Sequence, residues 1–198
     1  NSLAAPLGRL DRALPDVARV SFAAVLLNYF WASGLTKLGE GVFGFLSPSV
    51  GAYAQIFPKQ MEAVLYDTSQ LGAFHWAVVV AGTWAEFILP ALLVLGFLTR
   101  YAALGMIGFI AMQSLPALYG HGAIDHAETV GKLFDRLPDA VILDQRLLWM
   151  FLLATLVIKG GGMLSLDRLL KNVPSAHPVS RPQSPECRPV HTCLSGTL

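Results

Sequence analysis

Residues Phe74–Leu98, FHWAVVVAGTWAEFILPALLVLGFL, decide the fold. A helix needs roughly 20 predominantly apolar residues to cross a bilayer, and this run is long enough. It nevertheless carries Glu86 near its middle. An ionisable group at that depth is costly unless it is neutral, paired or watered. The run therefore reads as one helix of a bundle that hides Glu86 from lipid.

Three further runs approach spanning length. They lie over about Val17–Lys37, Tyr101–Leu118 and Asp139–Lys159. In the last, the strictly apolar part from Leu147 to Ile158 is short, and Asp144, Gln145 and Arg146 precede it, facing either the headgroup layer or the bundle. Composition agrees: 54% of residues are hydrophobic and 14% charged, where soluble domains average about 25% charged. The expected fold is an all-α polytopic membrane protein, a four-transmembrane-helix bundle with short interfacial helices in the outer loops. It should fill residues 1–171. Residues 172–198, rich in Pro, Ser and polar side chains, read as a disordered tail.

Charge placement suggests the orientation. Arg9, Arg12, Arg19, Arg100, Lys159, Arg168 and Lys171 gather at the end bearing both termini. The opposite end holds fewer bases and most of the acids, among them Glu40, Glu62, Asp125 and Asp144. The positive-inside rule then makes both termini cytoplasmic. The segment Asn1–Asp16 shows no small-residue cleavage site after the first apolar run, so that run reads as a retained helix. A net charge of +1 and the absence of a basic, aromatic-interleaved stripe give no case for nucleic acid. Cys187 and Cys193 both lie in the tail and match no zinc or CxxC spacing. His75, His121 and His126 fall on the outer side without an i, i+4 pair, so no metal site is expected.

The outer loops carry local signals. Ser47-Pro48 reads as an N-cap followed by proline at the first helical position, opening a helix that Pro58 breaks. Lys59 to Tyr66 suggests another short helix. Asp125 and Glu128 have capping-box spacing and predict a helix toward Leu137. The short link at Thr99 and Arg100 makes the second and third spans antiparallel neighbours, and Arg100 is placed to cap the second. Pro90 and Pro116 predict kinks, and Gly82, Gly105 and Gly108 close helix approach.

Depth counting singles out a polar layer. At about 1.5 Å per residue, Asn28 lies roughly 16 Å, and Glu86 and Gln113 roughly 18 Å, from the inner ends of their spans. Each needs a hydrogen-bond partner where water is absent, so the three are expected to converge or share a water-filled pocket. The same counting separates the backbones of Lys37 and Glu86 by roughly 12 Å. Lys37 is therefore expected to pair with Asp144 or Glu40, or to snorkel outward.

Several pieces have a family look: Trp31-Ala-Ser-Gly34-Leu-Thr-Lys37-Leu38, Trp84-Ala-Glu86-Phe-Ile-Leu-Pro90, Leu95-Gly96-Phe-Leu-Thr99-Arg100, and Gly160 to Gly162 followed by Ser165-Leu-Asp-Arg-Leu-Leu170. Their order and spacing resemble the DoxX family over roughly Leu10 to Leu170. The family's closing Gly-Pro-Gly stands here as Gly160-Gly161-Gly162, a departure that loosens that turn. The resemblance implies a bacterial inner-membrane protein, akin to the small membrane subunit of a thiosulfate:quinone oxidoreductase and to scaffolds linked to oxidative and thiol stress. Two readings follow. In one, Glu86, Asn28 and Gln113 hydrogen-bond a membrane quinone in a redox complex. The chain has no intrinsic cofactor, and a soluble redox partner or second subunit supplies electrons. In the other, the protein is a non-enzymatic scaffold or small transporter that docks a partner enzyme.

Overall fold

The structure, a computed structural model, describes residues 4–171. The expected tail lies outside the described residues. Four helices are long and apolar enough to span a membrane: Leu10–Lys37, Ala73–Leu95, Thr99–Gly120 and Val141–Lys159. Among the described residues every regular element is helical. The spans fall within a few residues of expectation, except that the first helix begins at Ala4. Its early polar turns are helical because tertiary contacts hold them: Asp11 pairs with Lys159, and Asp16 accepts from the backbone N–H groups of Met163 and Leu164.

Each span packs on the next, and the first also meets the fourth, which closes a ring. The buried stripe of the first span runs through Arg19, Phe22, Leu26, Phe30, Gly34 and Lys37, steps of three and four that keep one helix face inward. Phe22, Leu26 and Phe30 meet Leu93, Met106, Ile110, Leu153 and Leu156 in a fully buried core. Gly34 allows the first and second spans to approach closely, since a Cβ there would stand 2.8 Å from the Phe87 ring. Gly105 is similarly close to Leu89, whereas Gly82 has only ordinary contact and Gly108 faces open space.

We call the side with the Thr99 turn the terminal end and the side with the long connections the loop end. At the loop end two short helices, Val50–Ile56 and Pro58–Ala63, pack Tyr53 and Met61 against Val79 of the second span. Their caps differ from expectation. Ser49, not Ser47, caps the first of them, its hydroxyl accepting from the N–H of Ala52 at 3.2 Å. Pro58 opens the second helix instead of merely ending the first, because its missing N–H costs nothing at a first turn. The helix expected from Asp125 toward Leu137 is a single turn, Ala127–Val130, without a side-chain cap. Gly131, at φ 78°, turns the chain out of it at once.

Candidate functional site

Polar side chains gather at both ends of the ring. At the terminal end the second span stops at Leu95, and Gly96 takes φ 68° to begin the turn. Arg19 reaches into this turn, donating from Nε to the Leu93 carbonyl at 3.0 Å and from Nη2 to the Val94 carbonyl. Its Nη1 donates to the Gly161 carbonyl at 2.8 Å. A Cβ on residue 96 would stand 2.7 Å from the guanidinium carbon, so the glycine also makes room for the arginine. Arg19 thus neutralises the negative C-terminal end of the second span. Arg100, expected in that role, instead donates to the Ile158 carbonyl at 3.2 Å, at the end of the fourth span.

Asp167 serves the opposite pole. Its carboxylate accepts from the N–H of Leu98 at 2.7 Å, and from the N–H and hydroxyl of Thr99 at 2.9 and 2.8 Å. Partial burial pushes this carboxyl up, but hydrogen bonds from Thr99 and Leu98 and the nearby Lys171 charge outweigh it, holding the group below the usual aspartate range. Ser165, as expected, caps the short helix Leu166–Lys171 by accepting from the Arg168 N–H at 3.3 Å.

The loop end is built differently. A cavity of about 680 Å³ lies between the spans, under the helices that begin at Val50 and Pro58. Phe74, Val78, Gly82 and Glu86 line it from successive turns of the second span, and Met112, Gln113 and Pro116 from the third. The first span contributes Tyr29, Ser33 and Lys37, and the fourth Arg146. Pro116 opens a π-helical turn, Pro116–Gly120, and Arg146 follows another, Val141–Gln145. Such turns shift the helix phase and re-aim the side chains beside them.

Glu86 is buried, and its partner is Lys37. Nζ lies 2.8 Å from Oε1 and 2.9 Å from Oε2. Ser33 completes a triangle: its hydroxyl accepts from Lys37 at 2.7 Å and donates to Glu86 Oε1 at 3.2 Å. The expectation that Lys37 stays clear of Glu86 is corrected by helix register. Depth counting set Val17 level with Leu98, whereas Ser33 actually faces Glu86, a slip of about 6 Å. The remaining distance is covered by the lysine stem, which points back along its helix toward Ser33.

Of the three residues expected to share a layer, Glu86 and Gln113 do line one cavity. Asn28 does not. It is exposed, and its side chain makes no hydrogen bond among the described residues. Depth counting ignored azimuth: Asn28 sits two residues from both Leu26 and Phe30, on the face opposite the buried stripe. Asp144 accepts from the Ala140 N–H at 2.9 Å, at the start of the fourth span, instead of meeting Lys37. Arg146 is buried, and its Nη1 donates to the Ser114 hydroxyl at 2.5 Å. Sequence reading left Arg146 between headgroup and bundle. Its place seven residues before Leu153, on the inward stripe, was the signal that settles it.

The histidines do not converge. His121 Nε2 lies 3.2 Å from the Gln55 carbonyl, His126 stands beside exposed Glu128, and His75 packs edge-on against Phe57. No group of three metal-ligating side chains forms among the described residues. Chemically, the loop end offers an apolar chamber with a neutralised acid–base pair in one wall and cationic and amide donors in another.

No curated protein and no solved structure matches the chain. The family model described as DoxX matches residues 15–115, which takes in most of the first span, the second, the Thr99 turn and most of the third. With its four membrane-spanning helices, this multi-pass membrane protein belongs to the DoxX family.

Proposed function

We propose that the protein is the membrane subunit of a quinone-linked redox complex, with the quinone bound in the loop-end cavity. The observation that carries this reading is the cavity itself. Mostly apolar walls with a few fixed polar groups are the usual make-up of a small-molecule site. A quinone supplies two-electron, two-proton chemistry at its ring oxygens. The electrons come from a partner redox protein, and the residues of this chain manage protons and position. Lys37, Ser33 and Glu86 form a proton-bearing triangle in the wall. Lys37 can release a proton toward a ring oxygen while Glu86 holds the amine in place, and Ser33 bridges the two. The excess of Lys and Arg at the terminal end orients the protein in the bacterial inner membrane with both termini cytoplasmic. The cavity then opens near the outer leaflet.

The Glu86→Gln variant tests the reading. It should abolish quinone-dependent turnover while the partner still co-purifies. Turnover at the wild-type rate in an assembled Glu86→Gln complex ends the proposal. Should that variant not assemble, Lys37→Met/Glu86→Leu removes both charges together and is expected to assemble without turnover.

A second reading, a scaffold that docks a partner without redox chemistry of its own, is favoured by the exposed apolar loop tips. Val42, Phe43, Leu65 and Phe134 are all more than half exposed at the loop end. Their replacement by Ser should release a docked partner. A scaffold role predicts that Glu86→Gln changes thermal stability alone.

A further inference from the structure

Two donors in the cavity wall lack partners among the described residues. Arg146 is 8% exposed, and its Nε is buried without a hydrogen bond. Gln113 Nε2 is buried and unpartnered as well. Both line the cavity. Arg146 takes part in none of the ion pairs among the described residues. Asp144, the nearby acid in the chain, is turned to the Ala140 N–H. Glu86, the acid lining the cavity, is held by Lys37. These two charges cancel, so Arg146 leaves the chamber positive, and exposed Lys59 adds to this at the rim. A buried guanidinium with one neutral acceptor is an expensive arrangement. A buried donor left unpaired carries its full desolvation penalty. Both costs fall when an oxygen acceptor enters the chamber.

The way in is also visible. Phe74, Met112 and Tyr119 line the cavity and yet are 70%, 64% and 58% exposed. Met112 stands within the third span, and Phe74 and Tyr119 at the loop-end tips of the second and third spans, so the cavity has an exposed rim between these two spans.

We infer that Arg146 and Gln113 anchor the oxygen head of an amphipathic ligand that enters from the lipid between the second and third spans. Its apolar body lies along Phe74, Val78 and Met112. The shared chemistry is an oxygen acceptor on an apolar carrier, met either by a quinone carbonyl or by the carboxylate of an acyl lipid. The inference deepens the reading above by naming the anchor, and it rests on the same cavity. It differs in placing the binding energy opposite the Lys37–Glu86 triangle. In that triangle Lys37 is held by Glu86 and Ser33, which makes it a proton source and leaves the standing anchor to the opposite wall.

The test uses the purified full chain in nanodiscs, titrated calorimetrically with decylubiquinone and, separately, with oleate. Wild type should bind at least one probe and gain thermal stability with it. Arg146→Met should weaken that binding at least tenfold while leaving the Tm of the ligand-free protein unchanged or higher, since a lone buried charge is gone. A purely structural arginine would do the reverse, lowering Tm and sparing affinity. Gln113→Leu should weaken binding severalfold, and it decides the matter if Arg146→Met does not fold. Binding of oleate alone supports the anchor and removes the quinone from the previous proposal. Binding of decylubiquinone supports both. The inference is overturned if neither probe binds wild type. It is equally overturned if Arg146→Met binds as wild type does, or, where that variant cannot be made, if Gln113→Leu does.

Discussion

The terminal end and the loop end spend their charges in opposite ways. At the terminal end Arg19, Asp16 and Asp167 all address backbone groups of other elements, and the donors and acceptors meet. That arrangement locks the Thr99 turn, the glycines after the fourth span and the start of the first span into one clasp. At the loop end the Lys37–Glu86 pair is complete, but Arg146 and Gln113 are left with buried unpaired nitrogens beside a cavity. A satisfied network specifies a structure, and an unsatisfied one invites a ligand. All four motifs that carry the family resemblance bear on the clasp or on the Lys37–Glu86 pair, through Ser33 and Lys37, Glu86, Gly96 and Thr99, and Ser165 and Asp167. Arg146 and Gln113 belong to none of them. The resemblance thus covers the clasp and the proton-bearing triangle, whereas the candidate anchor Arg146 lies outside the matched residues 15–115.

The largest expected effect falls on the complete pair. Glu86→Ala strands the Lys37 ammonium in a buried site and should cost about 3–5 kcal/mol, measured by denaturant unfolding in detergent. Lys37→Met/Glu86→Leu should recover most of that loss, because replacing both partners removes the stranded charge. A Glu86→Ala protein as stable as wild type would mean that the pair does not exist in the membrane. Arg19→Met comes next, at about 3 kcal/mol, because it strips the charged donor from three carbonyls at once. Its effect on ligand binding should be nil, which separates the clasp from the cavity. A binding loss as large as that of Arg146→Met would erase the distinction between the two ends.

Asp167 gives the clasp a pH signature of smaller size. Its folded carboxyl titrates below the ordinary aspartate value of 3.8. Its contribution is therefore full above that value and fades as pH falls through the lower, folded pKa. Asp167→Ala should cost about 1 kcal/mol at neutral pH, as the loss of a helix cap does. It should also flatten the decline in Tm of the wild type below about pH 4. Parallel declines in the two proteins would remove Asp167 from the clasp.

The helical class and the positions of all four spans were legible in the sequence because apolar length is a one-dimensional property. The same holds for the Thr99 turn and the Ser165 cap. The partners of the charges were not legible, because they depend on two quantities that depth counting omits. One is register: Ser33, not a residue a turn earlier, faces Glu86, and this brings Lys37 within reach. The other is azimuth. Arg19 and Lys37 belong to the stripe that contains Phe22, Leu26 and Phe30, and Arg146 to the one that contains Leu153. Tracing those stripes before counting depth would have placed all three inside. In the loops the two short helices around Pro58 were legible, and the Asp125–Glu128 signal fell short, because Gly131 ends that helix after one turn.

The smallest expected effect is the sharpest check on that lesson. Asn28 lies at the depth of Glu86 by residue counting, yet it sits two positions from both Leu26 and Phe30 and faces away from the ring. If depth governs, Asn28→Leu removes a hydrogen-bonding member of the site and weakens binding as Gln113→Leu does. If azimuth governs, the substitution merely exchanges one exposed side chain for a lipid-compatible one. Surface changes of that kind stay within about 0.5 kcal/mol, and a leucine facing acyl chains should shift stability upward if at all. The expected result is an unchanged affinity for the cavity probe and a Tm equal to or above that of wild type. A loss in either would place Asn28 inside the bundle, and with it would go the first-span phase on which the Lys37–Glu86 contact also depends.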